Sequence, residues 1–268
     1  MGRNVEYDKK DCLLAIKQAS EDVDGPLTTE EYQKRADGPG HWVINDRFGS
    51  WNKAKEAAGV ELWDPRKGLP ADYGYFSQVT TAEQAYWVGF IYGDGCIAPN
   101  GNGNPCLSFC LNERDRHILE EFRDTINAEH SISESGDEVS IGFVNDEITA
   151  DLRSLGAGEQ KTYSDELPGF ERDELRSAFV RGLGDADGHC QKSRYSITGA
   201  NKERFRKLSK WLPVKAEIYS YPDNDNKYRL RVTTHERVAV LREWLYPDGL
   251  ATTPALSRKK KEMMGYNY

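Results

Sequence analysis

Two acidic residues hold matching places in a segment that occurs twice in the chain. Asp94 lies near the end of residues 85–95, and Asp187 lies near the end of residues 178–188, with a constant offset of 93 residues and a glycine after each aspartate. Small residues recur at every fourth position of both copies, which is one face of a helix: Ala85, Gly89, Gly93, Ala178, Gly182 and Ala186. Such a stripe lets two helices pack closely, so we expect two adjacent helices whose ends bring the carboxylates together.

Two carboxylates side by side at helix C-termini are unfavourable unless a cation binds them. Each faces the negative end of a helix dipole, and each opposes ionisation of the other. Mg²⁺ prefers this ligand type, with water and phosphate oxygens completing its shell. The pattern therefore predicts a divalent metal site at Asp94 and Asp187. The alternative, local hydrogen bonding in two Asp-Gly turns, does not account for two copies in register. We expect Gly95 and Gly188 to end the helices in the left-handed conformation.

The two segments resemble the paired motifs of single-chain LAGLIDADG homing endonucleases, and residues 181–188 match more closely than the first copy, which departs at Tyr92 and Gly93. The resemblance spans roughly residues 80–264. It implies an α/β (α+β) fold of two pseudo-symmetric αββαββα halves, 81–165 and 166–268, with a saddle of antiparallel strands. It also implies that Asp94 and Asp187 bind the catalytic Mg²⁺ or Mn²⁺, and that both DNA strands are cut with short 3′ overhangs.

Two lysines complete the expected chemistry. Lys161 follows the last predicted helix of the first half, and Lys259 lies in the basic run 258–261 after the last predicted helix of the second half. Symmetry would place one basic residue beside each metal site, where it would offset charge on the phosphate. The family has a catalytic lysine at about this distance before its second motif, and Lys161 matches it. A solvated basic tail is the alternative for the C-terminal run.

A strand of the second half predicts how DNA is held. Residues 227–232 alternate between cationic and apolar side chains, which places Lys227, Arg229 and Arg231 on one face. A two-stranded β-ribbon fits the major groove, where arginine makes bidentate contacts to guanine. The same surface is extended by Lys192, Arg194 and Lys215. A solvated sheet face is the alternative. The strands of the first half are poor in basic residues, so we expect them to bind DNA less tightly.

Residues 1–60 have the pattern of a small all-α module. Short helices joined by a Gly-Ser turn are typical of helix-turn-helix proteins, and residues 47–59 resemble the homing-endonuclease-associated repeat, which is thought to bind DNA. The basic residues expected to contact phosphates are Lys34, Arg35, Arg47, Lys53 and Lys55. A helical protein-interaction module is the alternative. Residues 61–80 are predicted to be a linker, because they are polar and contain several prolines and glycines.

Composition limits the class of protein. The net charge is −8 and the pI about 5.3, which argues against a uniformly basic nucleic-acid binder but allows a basic groove on an acidic body. An acidic surface is also typical of halophilic prokaryotes. The five cysteines contain no C-x-x-C pair, which favours reduced thiols in a cytoplasmic protein over a zinc site. We see no signal peptide and no apolar run of transmembrane length.

The sequence thus predicts a Mg²⁺-dependent, site-specific DNA endonuclease that acts as a monomer on double-stranded DNA and does not associate with membranes. The catalytic set is predicted to be Asp94, Asp187, Lys161 and Lys259. The alternative is a non-cleaving binder on the same fold, either an RNA maturase or a DNA-binding regulator. Loss of one or both motif carboxylates would indicate such a binder, and both are present.

Overall fold

A computed structural model describes residues 7–21, 23, 27–60, 62, 64, 66–159, 161–191, 193–221 and 224–265. The chain divides into two compact units. The first contains Met1–Lys67 and Gly101–Gly103, and the second contains Gly68–Asn100 and Asn104–Tyr268. Lys192, one of the predicted DNA contacts, lies outside the described residues. No helix in the described part of the chain is both long and apolar enough to cross a membrane.

The first unit is helical. It contains α1 (Lys9–Glu21), α2 (Thr29–Arg35), α3 (His41–Phe48) and α4 (Trp51–Ala58). Thr28 and Ser50 cap the second and fourth helices by accepting hydrogen bonds from backbone amides of their first turns. The third and fourth helices end at glycines in the left-handed conformation. A small core of its own includes Cys12, Ile16, Leu27, Tyr32, Ile44 and Ala54.

The second unit contains two halves with the same order of elements. The first half is α5 (Ala82–Asp94), β1 (Gly95–Pro99), β2 (Pro105–Asn112), α6 (Arg116–Thr125), β3 (Ser133–Ser135), β4 (Glu138–Val144) and α7 (Asp146–Ser154). The second is α8 (Asp173–Asp187), β5 (Gly188–Gln191), β6 (Arg194–Gly199), α9 (Lys202–Ser209), β7 (Glu217–Tyr221), β8 (Asn224–Thr233) and α10 (His235–Leu245). The predicted mixed α/β fold with two αββαββα halves is confirmed. One further helix, α11 (Ser257–Met264), was not predicted.

Each half builds a four-stranded antiparallel sheet with equivalent strand order. The orders are β1-β2-β4-β3 and β5-β6-β8-β7, so the third and fourth strands of each half exchange places relative to the chain. The predicted alternation along β8 is present. Leu230 and Val232 are buried, whereas Arg229 and Arg231 are only partly covered and Lys227 is exposed. Each sheet therefore has one face against the core and one polar face.

Helices α5 and α8 pack against each other along the predicted stripe of small residues. A Cβ atom added at Gly89 would overlap the carbonyl oxygen of Phe179, and one added at Gly182 would overlap that of Tyr86. Near the helix ends, a Cβ at Gly93 would overlap the Cβ of Ala186. The expected close approach of the two helices is confirmed, because backbone atoms occupy the space that larger side chains would need.

Residues 68–80, the larger part of the predicted linker 61–80, pack on the second unit. Phe76 is buried in its core and stacks on Phe122 at 6.4 Å between ring centroids. The Asp72 amide donates to the Ile126 carbonyl, and the Gln84 side chain donates to the carbonyl of Tyr75. This segment fixes the start of α5, which Thr81 and Gln84 close with a capping box.

Candidate active site

The two motif helices run directly into the first strand of each half. Asp94 is the last residue of α5 and Asp187 is the last of α8, while Gly95 and Gly188 begin the strands. The expectation of left-handed glycines is wrong: φ and ψ are −73° and 144° at Gly95 and −88° and 162° at Gly188. Glycine is required there for space instead. A Cβ at Gly95 would lie 2.9 Å from the carbonyl oxygen of Ile91, and one at Gly188 would overlap the carbonyl of Gly184.

The packed helices bring the two aspartates together. A Cβ atom added at Gly93, the neighbour of Asp94, would lie 3.3 Å from the Oδ2 atom of Asp187. Asp94 is half-buried and Asp187 is the more exposed of the two. Burial raises the pKa of Asp94 to about 6, and the charge of Asp187 adds to this rise. Burial also raises the pKa of Asp187, and Lys161 opposes that effect.

Lys161 is buried at the C-terminal end of α5. Its ammonium group donates to the backbone carbonyls of Ile91 and Gly95, and to that of Gly93 at 3.4 Å. A cation at this place satisfies carbonyls that a helix end leaves without partners and opposes the negative end of the dipole. Burial lowers the pKa of Lys161 to about 8, while the charges of Asp187 and Asp94 hold it up.

Lys259 holds the equivalent place in the second half. Carried by α11, it is buried, and its ammonium group donates to the carbonyls of Gly184 at 3.1 Å and Ala186 at 3.0 Å, and also to that of Asp185. Burial lowers the pKa of Lys259, and the charge of Asp185 opposes this. The basic run is therefore part of a packed helix and not a solvated tail. Each motif helix thus has one buried lysine at the end that bears its aspartate.

Each lysine also acts on the aspartate of the opposite helix. The charge of Lys259 lowers the pKa of Asp94 more than the charge of Lys161 does. For Asp187 the order is reversed, and Lys161 has the larger effect. Both lysines therefore act on both carboxylates, and the four groups form a single charged cluster.

Two buried residues, neither of them predicted, hold the lysine-bearing segments in place. The Tyr92 hydroxyl donates to the Leu155 carbonyl at 2.6 Å, near the segment that leads to Lys161. The Asp185 carboxylate accepts hydrogen bonds from the Leu256 amide at 2.7 Å, just before α11, and from the Tyr86 hydroxyl at 2.9 Å. Burial raises the pKa of Asp185 to about 6, and these hydrogen bonds oppose the rise. Both residues lie two positions before a motif aspartate, which is the one sequence signal that could have identified them.

The surroundings of the two aspartates differ in charge. Asn112 in the first half and Asn201 in the second cap equivalent helical turns, and they lie 89 residues apart. At the same offset, Asp115 of the first half occupies the position that Arg204 occupies in the second. Asp115 is neutralised by Arg258, whose Nη2 atom lies 2.9 Å from Oδ2. Arg204 is buried, its guanidinium lies over the Tyr92 ring, and its Nε atom has no hydrogen-bond partner in the described residues. Its charge lowers the pKa of Asp187, whereas Asp115 raises that of Asp94.

The carboxylate pair fits a divalent cation. Neither carboxylate accepts a hydrogen bond within the described residues, and repulsion plus burial make the unpaired negative charges unfavourable. Oxygen ligands of this kind are suited to Mg²⁺. The described residues contain no group of three or more histidine, cysteine, aspartate or glutamate side chains that could hold a metal. Water or phosphate oxygens would therefore have to supply the other ligands.

Asp94→Asn is expected to stabilise the metal-free protein at neutral pH. The pKa of Asp94 rises from its ordinary 3.8 to about 6 on folding. The folded state therefore binds the proton more tightly, and stability is lost as the pH rises between these two values. Asparagine does not ionise and avoids this loss. In the presence of a chelator, the variant should melt at a higher temperature than wild type at high pH, and this difference in melting temperature should disappear as the pH is lowered.

Asp46→Asn, at an exposed aspartate of α3, is the control. A variant that is less stable than wild type at high pH would contradict the repulsion.

The predicted DNA contacts of the second half lie on or beside its sheet. Arg194 is exposed on β6, and Arg229 and Arg231 lie on the polar face of β8, where Thr198 pairs with Arg229 and Ser196 with Arg231. Lys215 is exposed just before β7. The strands of the first half contain no lysine or arginine. The charge difference expected between the two sheets is therefore present.

In the helical unit the predicted phosphate contacts separate into two groups. Arg47 on α3 and Lys53 on α4 are exposed and form no ion pair in the described part of the chain. Lys34 lies 2.9 Å from Glu30, and Arg35 pairs with Glu31. Lys55 is buried and donates to the Leu27 carbonyl at 3.3 Å, which removes it from the set of phosphate contacts.

Comparison with known proteins identifies the N-terminal module. Residues 7–61 match the family model of the homing endonuclease associated repeat, which confirms the resemblance predicted for this region. No curated protein matches the chain significantly.

Several solved structures are similar to this chain. Mesophilic variants of the homing endonuclease I-DmoI align with 70% of this chain and 97% of their own, at 16% identity and a TM-score of 0.48. The LAGLIDADG meganuclease I-AabMI, bound to uncleaved DNA, aligns with 70% of this chain and 89% of its own, at 15% identity and a TM-score of 0.48. I-DmoI in complex with DNA and Ca aligns with 63% and 87%, respectively, at 16% identity and a TM-score of 0.45.

Proposed function

We propose that this protein is a site-specific double-strand DNA endonuclease of the LAGLIDADG homing type, which uses Mg²⁺ or Mn²⁺. One observation carries the proposal: two carboxylates that accept no hydrogen bond from any described residue meet at the ends of two closely packed helices, and each helix end is held by a buried lysine. The arrangement is repeated in both halves, which suits the two scissile phosphates of a duplex.

The residues of the cluster have separate roles. Asp94 and Asp187 would be the protein's ligands to the metal. Bound there, a divalent cation would polarise the scissile phosphate and lower the pKa of an attacking water. Lys161 and Lys259 fix the turns that carry the aspartates, and their positive charges stabilise the extra negative charge of the pentavalent phosphate. Since Tyr92 and Asp185 contact the lysine-bearing segments, they position this cluster without touching the substrate.

DNA binding is divided between the units. Residues 1–60 form a helix-turn-helix-like module that binds phosphates through Arg47 and Lys53. Residues 61–80 join this module to the two halves, 81–165 and 166–268, and the second half contacts base edges through Arg229 and Arg231, with Lys192, Arg194, Lys215 and Lys227 extending the basic surface. The chain acts as a monomer because both metal-binding aspartates come from one polypeptide. Its five cysteines are free, which suits the reducing cytoplasm.

A cleavage selection tests the proposal directly. A library of randomised duplexes is incubated with the protein in Mg²⁺, in Ca²⁺ and in a chelator, and cut molecules are sequenced at both ends. We expect one enriched site, cut on both strands with 3′ overhangs, in Mg²⁺ only. The double variant Asp94→Asn/Asp187→Asn is the control for contaminating nuclease. Cutting that persists in this variant, or specific binding in Ca²⁺ without any cutting in Mg²⁺ or Mn²⁺, would contradict the proposal.

Arg47→Ala/Lys53→Ala should weaken binding to all DNA sequences about equally. Each phosphate contact contributes about 0.9 to the slope of log affinity against log salt, so loss of two contacts should flatten the slope by about 2. Equilibrium binding in Ca²⁺ at several salt concentrations measures this, with cut position as a second readout that should not change. Lys34→Ala is the matched control, since that ammonium is already paired with Glu30. If the salt slope is unchanged, or the cut position moves, the helical module does not have this role.

A further inference from the structure

Two arginines on the polar face of the second sheet are stacked on tyrosines of the neighbouring strand. The guanidinium of Arg231 lies over the Tyr219 ring at 3.9 Å from its centroid, and that of Arg229 lies over Tyr221 at 4.9 Å. Arg229 also donates through Nη2 to the Tyr221 hydroxyl. The Tyr219 hydroxyl in turn donates to Glu217, which lies opposite Arg231 in the ladder. Each guanidinium is therefore held in one plane before any ligand binds.

Within the described residues, the terminal nitrogens of Arg231 have no hydrogen-bond partner, whereas Arg229 already shares its Nη2 atom with the Tyr221 hydroxyl. The Nε atoms of Arg229 and Arg231 are covered and have no hydrogen-bond partner in the described residues. Arg231 forms no hydrogen bond or ion pair within that part of the chain. Because stacking has already reduced the side-chain entropy of both arginines, a planar acceptor that binds their terminal nitrogens loses less free energy to ordering.

The spacing of the two arginines matches base pairs. They lie two residues apart on β8, where the rise is about 3.4 Å per residue, and the rise of duplex DNA is also about 3.4 Å per base pair. A strand that follows the major groove would thus place the two guanidinium groups two base pairs apart. The bidentate acceptor for arginine in that groove is the O6 and N7 edge of guanine. Leu230, which lies between them in the sequence, is buried in the core and is therefore not available to a base.

We infer that the DNA half-site under the second sheet contains two guanines separated by one unspecified base pair, recognised by Arg229 and Arg231, and that Tyr219 and Tyr221 are positioning residues for this recognition. The inference rests on the proposed function and specifies its substrate. The first sheet has no equivalent, because the polar positions of its two central strands carry a thiol, two hydroxyls, an amide and a carboxylate: Cys110, Ser108, Ser140, Asn112 and Glu138. Guanine preference is confined to one half of the site.

The site selected from the randomised library is the first test. We expect two invariant guanines, two base pairs apart, in one half only. Replacing either guanine with 7-deazaguanine removes N7 but keeps O6, so binding in Ca²⁺ should weaken by up to about 150-fold, the upper end of the range for a whole bidentate contact. The same replacement at guanines of the other half should have no such effect.

Substitutions at Tyr219 separate positioning from folding. Tyr219→Leu should relax the preference for guanine opposite Arg231 while the guanine opposite Arg229 remains selected. Tyr219→Phe keeps the ring and should retain the preference. Arg206→Ala, which removes an exposed arginine of α9 paired with Glu203, is the matched control and should change neither guanine.

The possible failures are distinguishable. A protein that cuts a selected site without this guanine pair, or whose base preference is unaffected by Tyr219→Leu, overturns the inference and leaves the endonuclease intact. A loss of preference at both guanines together with a lower melting temperature assigns Tyr219 to folding and also overturns its positioning role. A protein that binds no duplex overturns both the inference and the proposed function.

Discussion

Asp94→Asn and Asp187→Asn should each reduce double-strand cleavage by at least about 100-fold, which corresponds to about 2.7 kcal/mol of transition-state stabilisation. The amide cannot replace an anionic oxygen as a metal ligand, and it leaves one carboxylate where two are needed. Initial rates of strand cleavage on the selected duplex, with each strand labelled separately, give the measurement. Affinity for the same duplex in a chelator should be retained or increased, because a negative charge facing phosphate is removed.

Several controls make the result specific to these carboxylates. Asp46→Asn removes an exposed acid of the helical unit and should cut both strands at the wild-type rate. Melting curves with and without Ca²⁺ give a readout that does not depend on activity. The cation should stabilise wild type more than either variant. If either variant still cuts both strands at the wild-type rate, Asp94 and Asp187 are not the metal ligands.

Gly89→Leu and Gly182→Leu should destabilise the second unit and abolish cleavage. An added Cβ at either position overlaps a backbone carbonyl of the facing helix, and backbone cannot move aside as the tip of a side chain can. Overpacking of this kind costs about 1–3 kcal/mol or more, which lowers the melting temperature of a domain this large by roughly 2–12 °C. Even a folded variant would hold its two aspartates farther apart.

The matched control for the packing substitutions is a glycine at which an added side chain would meet no other atom. A Cβ at Gly169 meets no atom within 4 Å, so Gly169→Leu should retain both the melting temperature and the cleavage rate. Thermal unfolding and cleavage of the selected duplex are measured for all three variants. Gly89→Leu or Gly182→Leu with unchanged stability and activity would show that the helices do not meet at these positions.

Local patterns were sufficient to predict the framework of the second unit. The spacing of Ala85, Gly89 and Gly93 predicts a helix face that another helix can approach, and the alternation from Lys227 to Val232 predicts a strand with one buried face. These features depend only on the 3.6-residue and two-residue periods of the backbone, so they can be seen without knowing any partner. The repeated Asp-Gly segment predicted a pair of aspartates, and the resemblance to a family with two such motifs implied the two halves.

Other features depended on partners far away along the chain. Lys161 donates to carbonyls of a helix about 70 residues earlier, and Lys259 does so across about 75 residues. The sequence placed both lysines near the site but did not show that they hold the helix ends. Helix α11 was missed because its run of charged residues has few apolar positions, and burial of Met263 and Lys259 gives it a fixed place.

The sequence alone determined which residue types could do chemistry here. These are two aspartates at equivalent positions, two lysines after equivalent helices, and a strand in which cationic and apolar side chains alternate. Tertiary structure decided which of them share an environment. It showed that glycine is needed at positions 95 and 188 because backbone atoms approach closely there, and not because the backbone is left-handed. It also showed that Asp115 and Arg204 give the two aspartates different electrostatic surroundings. The physical reason is that burial, desolvation and helix-end contacts arise only when elements distant in sequence pack together, whereas periodicity is a property of each element by itself.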